Sequence, residues 1–166
     1  LVQSAIERID ILRSSNIEIF IDITDRTDPL TPLSKIIERF REKPEAASLV
    51  KSKDWSKFQE FSQKWQKDTT KSTSRSWEEF INRKIEGQSP EKLKLTLAQT
   101  EVNKKALAVF STTYRELQSF RSEFPKDTNL VEQVEALSAR LKSTSEEFDY
   151  DVHEEVKAFL SAIQQG

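Results

Sequence analysis

Cysteine and methionine are absent from this 166-residue chain, glycine occurs twice and histidine once. Without cysteine there are no disulfides, no thiolate nucleophile and no Cys-based zinc site. The single histidine, His153, excludes any site within one chain that needs paired imidazoles. The two glycines, Gly87 and Gly166, stand far apart. Phosphate cradles and dinucleotide fingerprints, which need several glycines within a few residues, are therefore excluded. A serine nucleophile elbow fails for the same reason, and turn-rich β-folds use many more glycines. No apolar run approaches the roughly 20 residues of a membrane span, and no charged-then-apolar leader opens the chain. A soluble, cytoplasmic protein is expected. With no initiator methionine, a processed chain or a piece of a larger protein is expected too.

What is present is charge. Charged residues make up 33% of the sequence, against about 25% for an average globular domain. Leu, Ile, Val and Phe still supply about a quarter of the chain, enough to exclude a disordered composition. High charge with a modest apolar fraction suits a thin core with much surface, as in helical bundles. The net charge of −2 is also segregated. Residues 35–84 carry a net +5 and residues 127–166 a net −6. Such asymmetry steers partners or draws one part of a molecule to another.

Helical spacing dominates. Residues 1–15 place Val2, Ala5, Ile6, Ile9 and Leu12 on one face. The segment 16–24 alternates Ile17, Ile19, Ile21 and Ile23 with other residues, a strand period. No second strand is legible to pair with it, so continuation of the first helix is favoured and a strand is the alternative. A second helix is expected from Thr31 as N-cap with Pro32 at its first position, burying Leu33, Ile36, Ile37 and Phe40. A third should start with Asp54 as cap, along the stripe Trp55, Phe58, Phe61 and Trp65. Residues 68–76 contain no apolar residue and read as a mobile loop. Ser76-Trp77-Glu78-Glu79 then fits a capping box, and Gly87 a terminator.

From Pro90 onward two long apolar stripes predict an antiparallel helical hairpin that doubles back at Pro125. The first arm carries Leu93, Leu97, Leu107, Phe110, Tyr114, Leu117, Phe120 and Phe124. An uninterrupted arm of that length would run for about 50 Å. The second carries Leu130, Val134, Leu137, Leu141, Phe148, Val152, Val156, Phe159 and Ile163. In the first seam Thr96, Thr100 and Asn103 stand where a heptad wants apolar side chains. The expected fold class is all-α, a helical bundle with a long C-terminal antiparallel hairpin. It divides into an N-terminal helical region, 1–87, and the hairpin, 89–166.

Three constellations bear on function. Lys51, Lys53, Lys57, Lys64, Lys67, Lys71 and Arg75 accompany all three tryptophans between residues 51 and 84. Such cations contact phosphates, and an exposed tryptophan stacks on bases. The plainer reading makes the aromatics core and the lysines the wet face of an amphipathic helix. Glu146, Glu147, Asp149, Asp151, Glu154 and Glu155 surround His153 and form a candidate acidic docking face. As a metal site it lacks the Glu-x-x-His spacing and the facing carboxylates of di-metal bundles. Asp22, Asp25 and Asp28 lack the spacing and the glycine of a calcium loop and read as turn chemistry. No catalytic residue, cofactor or metal is expected. The expectation is a non-catalytic helical interaction or scaffolding module with a protein partner, self-association included, and no membrane. The alternative is a nucleic-acid-binding helical module using residues 51–84.

Overall fold

The computed structural model describes residues 2–20, 30–42, 52–87 and 89–150. Six α-helices lie among them, α1 (Val2–Ser14), α2 (Leu30–Glu42), α3 (Lys53–Ile85), α4 (Pro90–Thr96), α5 (Glu101–Ser119) and α6 (Thr128–Glu146), with a 3-10 turn, Phe120–Ser122, after α5. The described residues form no strand beyond one isolated bridge, so the fold is all-α. The chain divides into two compact units, residues 1–77 and 78–166. The division falls inside α3 rather than at Gly87. Asp22, Asp25, Asp28 and residues 151–166 lie outside the described residues.

In the first unit, α1 buries Ala5 and Leu12 completely. It ends where Asn16 turns left-handed, with a φ of 54°. Ile17 N donates to Leu12 O at 2.8 Å and Asn16 N to Arg13 O at 3.0 Å. This pair closes the last turn as a Schellman motif, for which asparagine is one of the few suitable residues besides glycine. Ile17 and Leu12, the two apolar residues that such a motif brings together, are both buried. The helix therefore does not continue into the isoleucine-rich segment, contrary to expectation. Residues 17–20 are neither helical nor strand-paired.

The second helix begins at Leu30, one residue before the expected cap. Among its apolar residues Ile36 is buried, but Ile37 and Phe40 are exposed, at 45% and 56%. The apolar spacing thus overstated the covered face.

The largest departure is α3. It runs unbroken for 33 residues, about 50 Å at 1.5 Å per residue. Ser52, not Asp54, caps it: Trp55 N donates to Ser52 Oγ at 3.1 Å. Asp54 instead meets Arg39 of α2, Oδ2 to Nη2 at 3.1 Å. Residues 68–76, read as a loop, are helical throughout, and Ser76 caps nothing. Thr69, Thr73 and Ser76 are at most 2% exposed. Their spacing of four and three continues the face of Trp65, and Trp77 beside them is also buried.

Two of these hydroxyls have partners, Thr73 in its own helix and Ser76 in the chain that follows α1, whereas Thr69 Oγ1 is buried with no hydrogen-bond partner among the described residues. Thr73 Oγ1 donates to Thr69 O at 2.9 Å. The same oxygen accepts from Arg8 Nε at 3.0 Å, and Arg8 Nη2 donates to Ser74 Oγ at 2.7 Å. Partial burial lowers the Arg8 pKa from its ordinary value by desolvation, yet a guanidinium stays charged at any working pH. Phe20 N donates to Ser76 Oγ at 3.2 Å. The hydroxyl stripe is the surface against which α1 and the chain leaving it are held.

The second unit takes the last turns of α3, with Ile81 and Ile85 buried, and adds α4 to α6. Lys84 Nζ meets Glu135 Oε2 of α6 at 2.7 Å, and Gly87 stands at a φ of +74° where α3 ends. Pro90 opens α4 as expected, but the arm breaks after Thr96. Residues 97–100 are not helical; Leu97 bridges to Tyr150, Ala98 N donates to Asp149 O at 3.1 Å, and Thr100 N donates back to Ala98 O at 2.9 Å.

Asn103, 2% exposed, holds that break together. Its Nδ2 donates to Ala98 O at 2.8 Å and to Asp149 O at 2.6 Å. Its Oδ1 accepts from Asp149 N at 2.9 Å. Thr100 caps α5 by accepting from Asn103 N. The polar residues that weaken the expected seam are the ones that build the break.

The hairpin is therefore shorter than expected, two helices of 19 residues each. Asp127 caps α6, accepting from Asn129 N at 2.9 Å. The buried positions of α5 are Asn103, Ala106, Phe110, Thr113 and Leu117, and those of α6 are Val131, Val134, Leu141 and Thr144. The first set steps by threes and fours, the second by threes and one seven. Leu107, Tyr114, Leu130 and Leu137, expected at the seam, lie half-buried beside it. Phe148 closes one end, its ring 5.5 Å from that of Phe110.

Candidate nucleic-acid interface

Each turn of α3 advances the helix by about 5.4 Å, and each residue rotates it by about 100°. On that geometry Lys53, Lys57, Lys64, Lys67, Lys71 and Arg75 fall within about 80° of one another. All six are exposed, and they belong to the first unit. They make a single file of cations along about 33 Å of helix. Lys51 lies outside the described residues, and Lys64 and Arg75 also have partners within the chain. Glu60 is the one acid in the middle of the file, with Asp68 at its edge. The unbroken helix is what aligns Lys71 and Arg75 with the rest; a loop at 68–76 would have detached them.

The aromatics do not share this face. Trp55, Phe58, Phe61 and Trp65 are half-buried, on a stripe centred about 130° around the helix. Trp55 and Phe58 lie against each other, centroids 6.0 Å apart. Trp77 is 1% exposed. The structure brings the sequence-predicted cations together and turns the tryptophans away from them. Burial of the hydroxyl stripe, which fixes this separation, was the feature sequence reasoning missed. Its signal was present in the spacing Trp65, Thr69, Thr73, Ser76 and Phe80.

The acidic face is only partly described. Glu146 ends α6 and Glu147 follows it, both exposed. Asp149 lies past the helix, its backbone taken up by Asn103 and Ala98. Asp149 itself is therefore not helical. Asp151, His153, Glu154 and Glu155 lie outside the described residues. Among the described residues no three carboxylates or imidazoles converge as metal ligands.

Two open clefts lie in the second unit. One, of about 480 Å³, is lined by Glu79, Asn82, Arg83, Glu86, Tyr114 and Arg121 among others, and its charges cancel. The other, of about 590 Å³, includes Ser111 and Thr112. Those hydroxyls donate to Leu107 O and Ala108 O of their own helix, which leaves neither poised beside a base as a nucleophile would be.

Comparison with known proteins gives no relative. No family model, no curated protein and no solved structure matches this chain. No described helix is long and apolar enough to cross a membrane. The functional reading therefore rests on the chain's own surface.

Proposed function

We propose that this chain is a non-catalytic helical interaction module whose docking face is the exposed side of α3 and whose partner is anionic. The observation that carries this reading is the file of six exposed cations on a helix whose opposite side is packed. A soluble amphipathic helix commonly mixes both signs on its wet face. Here one sign prevails over six helical turns, and that raises the local concentration of oppositely charged partners. The hydroxyls of Thr73, Ser111 and Thr112, each donated to a carbonyl of the same helix, support a structural rather than a catalytic use of these side chains.

Retention on an anionic polymer matrix tests the proposal. The intact chain should be retained at low salt despite its net charge of −2. Lys57→Glu together with Lys71→Glu should release it with an unchanged thermal melt, because both residues are exposed. Equal retention of the reversed variant would contradict the proposed face.

A further inference from the structure

We infer that the partner of the α3 ridge is a double-stranded nucleic acid, gripped through its phosphates without regard to sequence. This inference rests on the docking face proposed above and adds the class of partner. Three observations select it.

The first is the composition of the ridge. Between Lys53 and Arg75 its file holds five lysines, one arginine and one glutamate, and no apolar side chain. A protein partner needs a desolvated apolar centre, and lysine is depleted from such centres. An acidic helix laid on this ridge would gain only weak, solvent-screened surface ion pairs and little else. A polyphosphate gains through the counterions it releases, a term that needs only aligned cations.

The second is the placement of the aromatics. Binding of single strands relies on aromatic platforms for successive bases. Trp77 is buried, and the Trp55 to Trp65 stripe sits on the half-buried side of the helix. The cation face of α3 can hold a backbone but carries no aromatic to stack a base, and a duplex presents its backbone with the bases already stacked. The same face has no apolar residue to enter a bilayer, as an interfacial helix requires.

The third is the kind of cation. Lysine is a mobile point charge, without the planar fork that reads a guanine edge bidentately. Five lysines to one arginine suits phosphate contact and carries no base readout. A straight ridge of about 33 Å cannot follow the duplex backbone around a full turn. We therefore expect about four of the six cations to reach phosphates together, each releasing about 0.9 counterion.

The test is titration of the full chain with a labelled duplex of about 20 base pairs over a range of salt. A log–log slope of about −4 is expected, with affinity about a hundredfold lower at about 200 mM salt than at about 50 mM. Two duplexes of unrelated sequence should bind alike, and a single strand of the same sequence more weakly. Replacing Lys57, Lys67 and Lys71 together by Gln should flatten the slope by about two to three units. Circular dichroism and the melting temperature should not change.

Three further probes complete the experiment: the single strand, polyglutamate and vesicles containing anionic lipid. Tighter binding to any of them than to the duplex overturns this inference and leaves the anionic docking face standing. A duplex affinity that the triple variant leaves unchanged overturns it as well. Failure of every probe at about 50 mM salt removes both the inference and the docking face beneath it.

Discussion

Residues 68–76 contain no apolar side chain and are helical throughout, whereas residues 93–107 carry apolar side chains every few positions and break in the middle. The contrast shows what apolar spacing reports and what it does not. Spacing announces a helix when the buried face is greasy. In α3 the buried face changes character part-way, from Trp and Phe to Thr and Ser, while its period stays the same. Thr73 donates to the carbonyl one turn earlier and so meets its polarity locally, whereas Thr69 Oγ1 is buried without a partner among the described residues. In the second unit the period persists through Leu93 and Leu97, but the backbone leaves the helix at Leu97 because Thr100 and Asn103 offer it a better-satisfied alternative.

The pair can be broken most severely with proline. Ser72→Pro removes a hydrogen bond from the middle of α3 and drives the ring into the Asp68 carbonyl, at a cost of about 3 kcal/mol or more. A denaturant melt of this variant checks it; a loop at 68–76 would absorb the change almost unnoticed. Asn103→Leu comes next. It supplies the apolar residue a heptad would want, yet strips Asp149 and Ala98 of three side-chain hydrogen bonds. A loss of about 2–3 kcal/mol is expected, and a gain would mean that the seam, not the clamp, governs this end.

Smaller effects sharpen the same contrast. Thr73→Val preserves shape but deprives Arg8 Nε of its acceptor, at a cost of about 1 kcal/mol. A double-mutant cycle with Arg8→Met isolates that coupling; no coupling would mean the hydroxyl is only a space-filler. Glu101→Pro falls at the first position of α5, where the missing N–H has no helical acceptor, so its cost should stay within about 1 kcal/mol. Were residues 90–119 one helix, the same substitution would be as damaging as Ser72→Pro.

The mildest effect concerns Glu91 at the start of α4. Its carboxyl titrates below its ordinary value, first because Ser89 Oγ donates to it at 2.6 Å. A lowered folded-state pKa contributes stability above the unfolded carboxylate value, and the contribution fades as pH falls through the folded one. In Ser89→Ala the Glu91 resonance should titrate at higher pH by nuclear magnetic resonance. An unmoved titration would detach the serine from the shift.

The legible parts of the sequence were those with one kind of burial. The apolar spacing located α1, α2, the aromatic half of α3 and the facing pair α5 and α6, along with the all-α class. Helix ends set by polar side chains were harder to read. The end of α1 needed Asn16 in a left-handed turn, with the Arg13 carbonyl in reach of its own N–H and the Leu12 carbonyl in reach of Ile17 N. Ser52 caps α3 while Asp54 pairs with Arg39. The cations of the ridge were legible one by one. Their alignment was not, because it depends on whether residues 68–76 keep the helical period, and hydroxyl side chains are equally at home in loops and at caps.

That dependence makes amide hydrogen exchange across residues 68–76 the most direct measurement. If α3 is continuous, these amides should be protected to the same degree as those of Trp65 and Phe80, since all open with one helix. Exchange at the unprotected rate in this stretch, with protection on both sides, would split α3 in two. It would also scatter the ridge on which the proposed docking face depends.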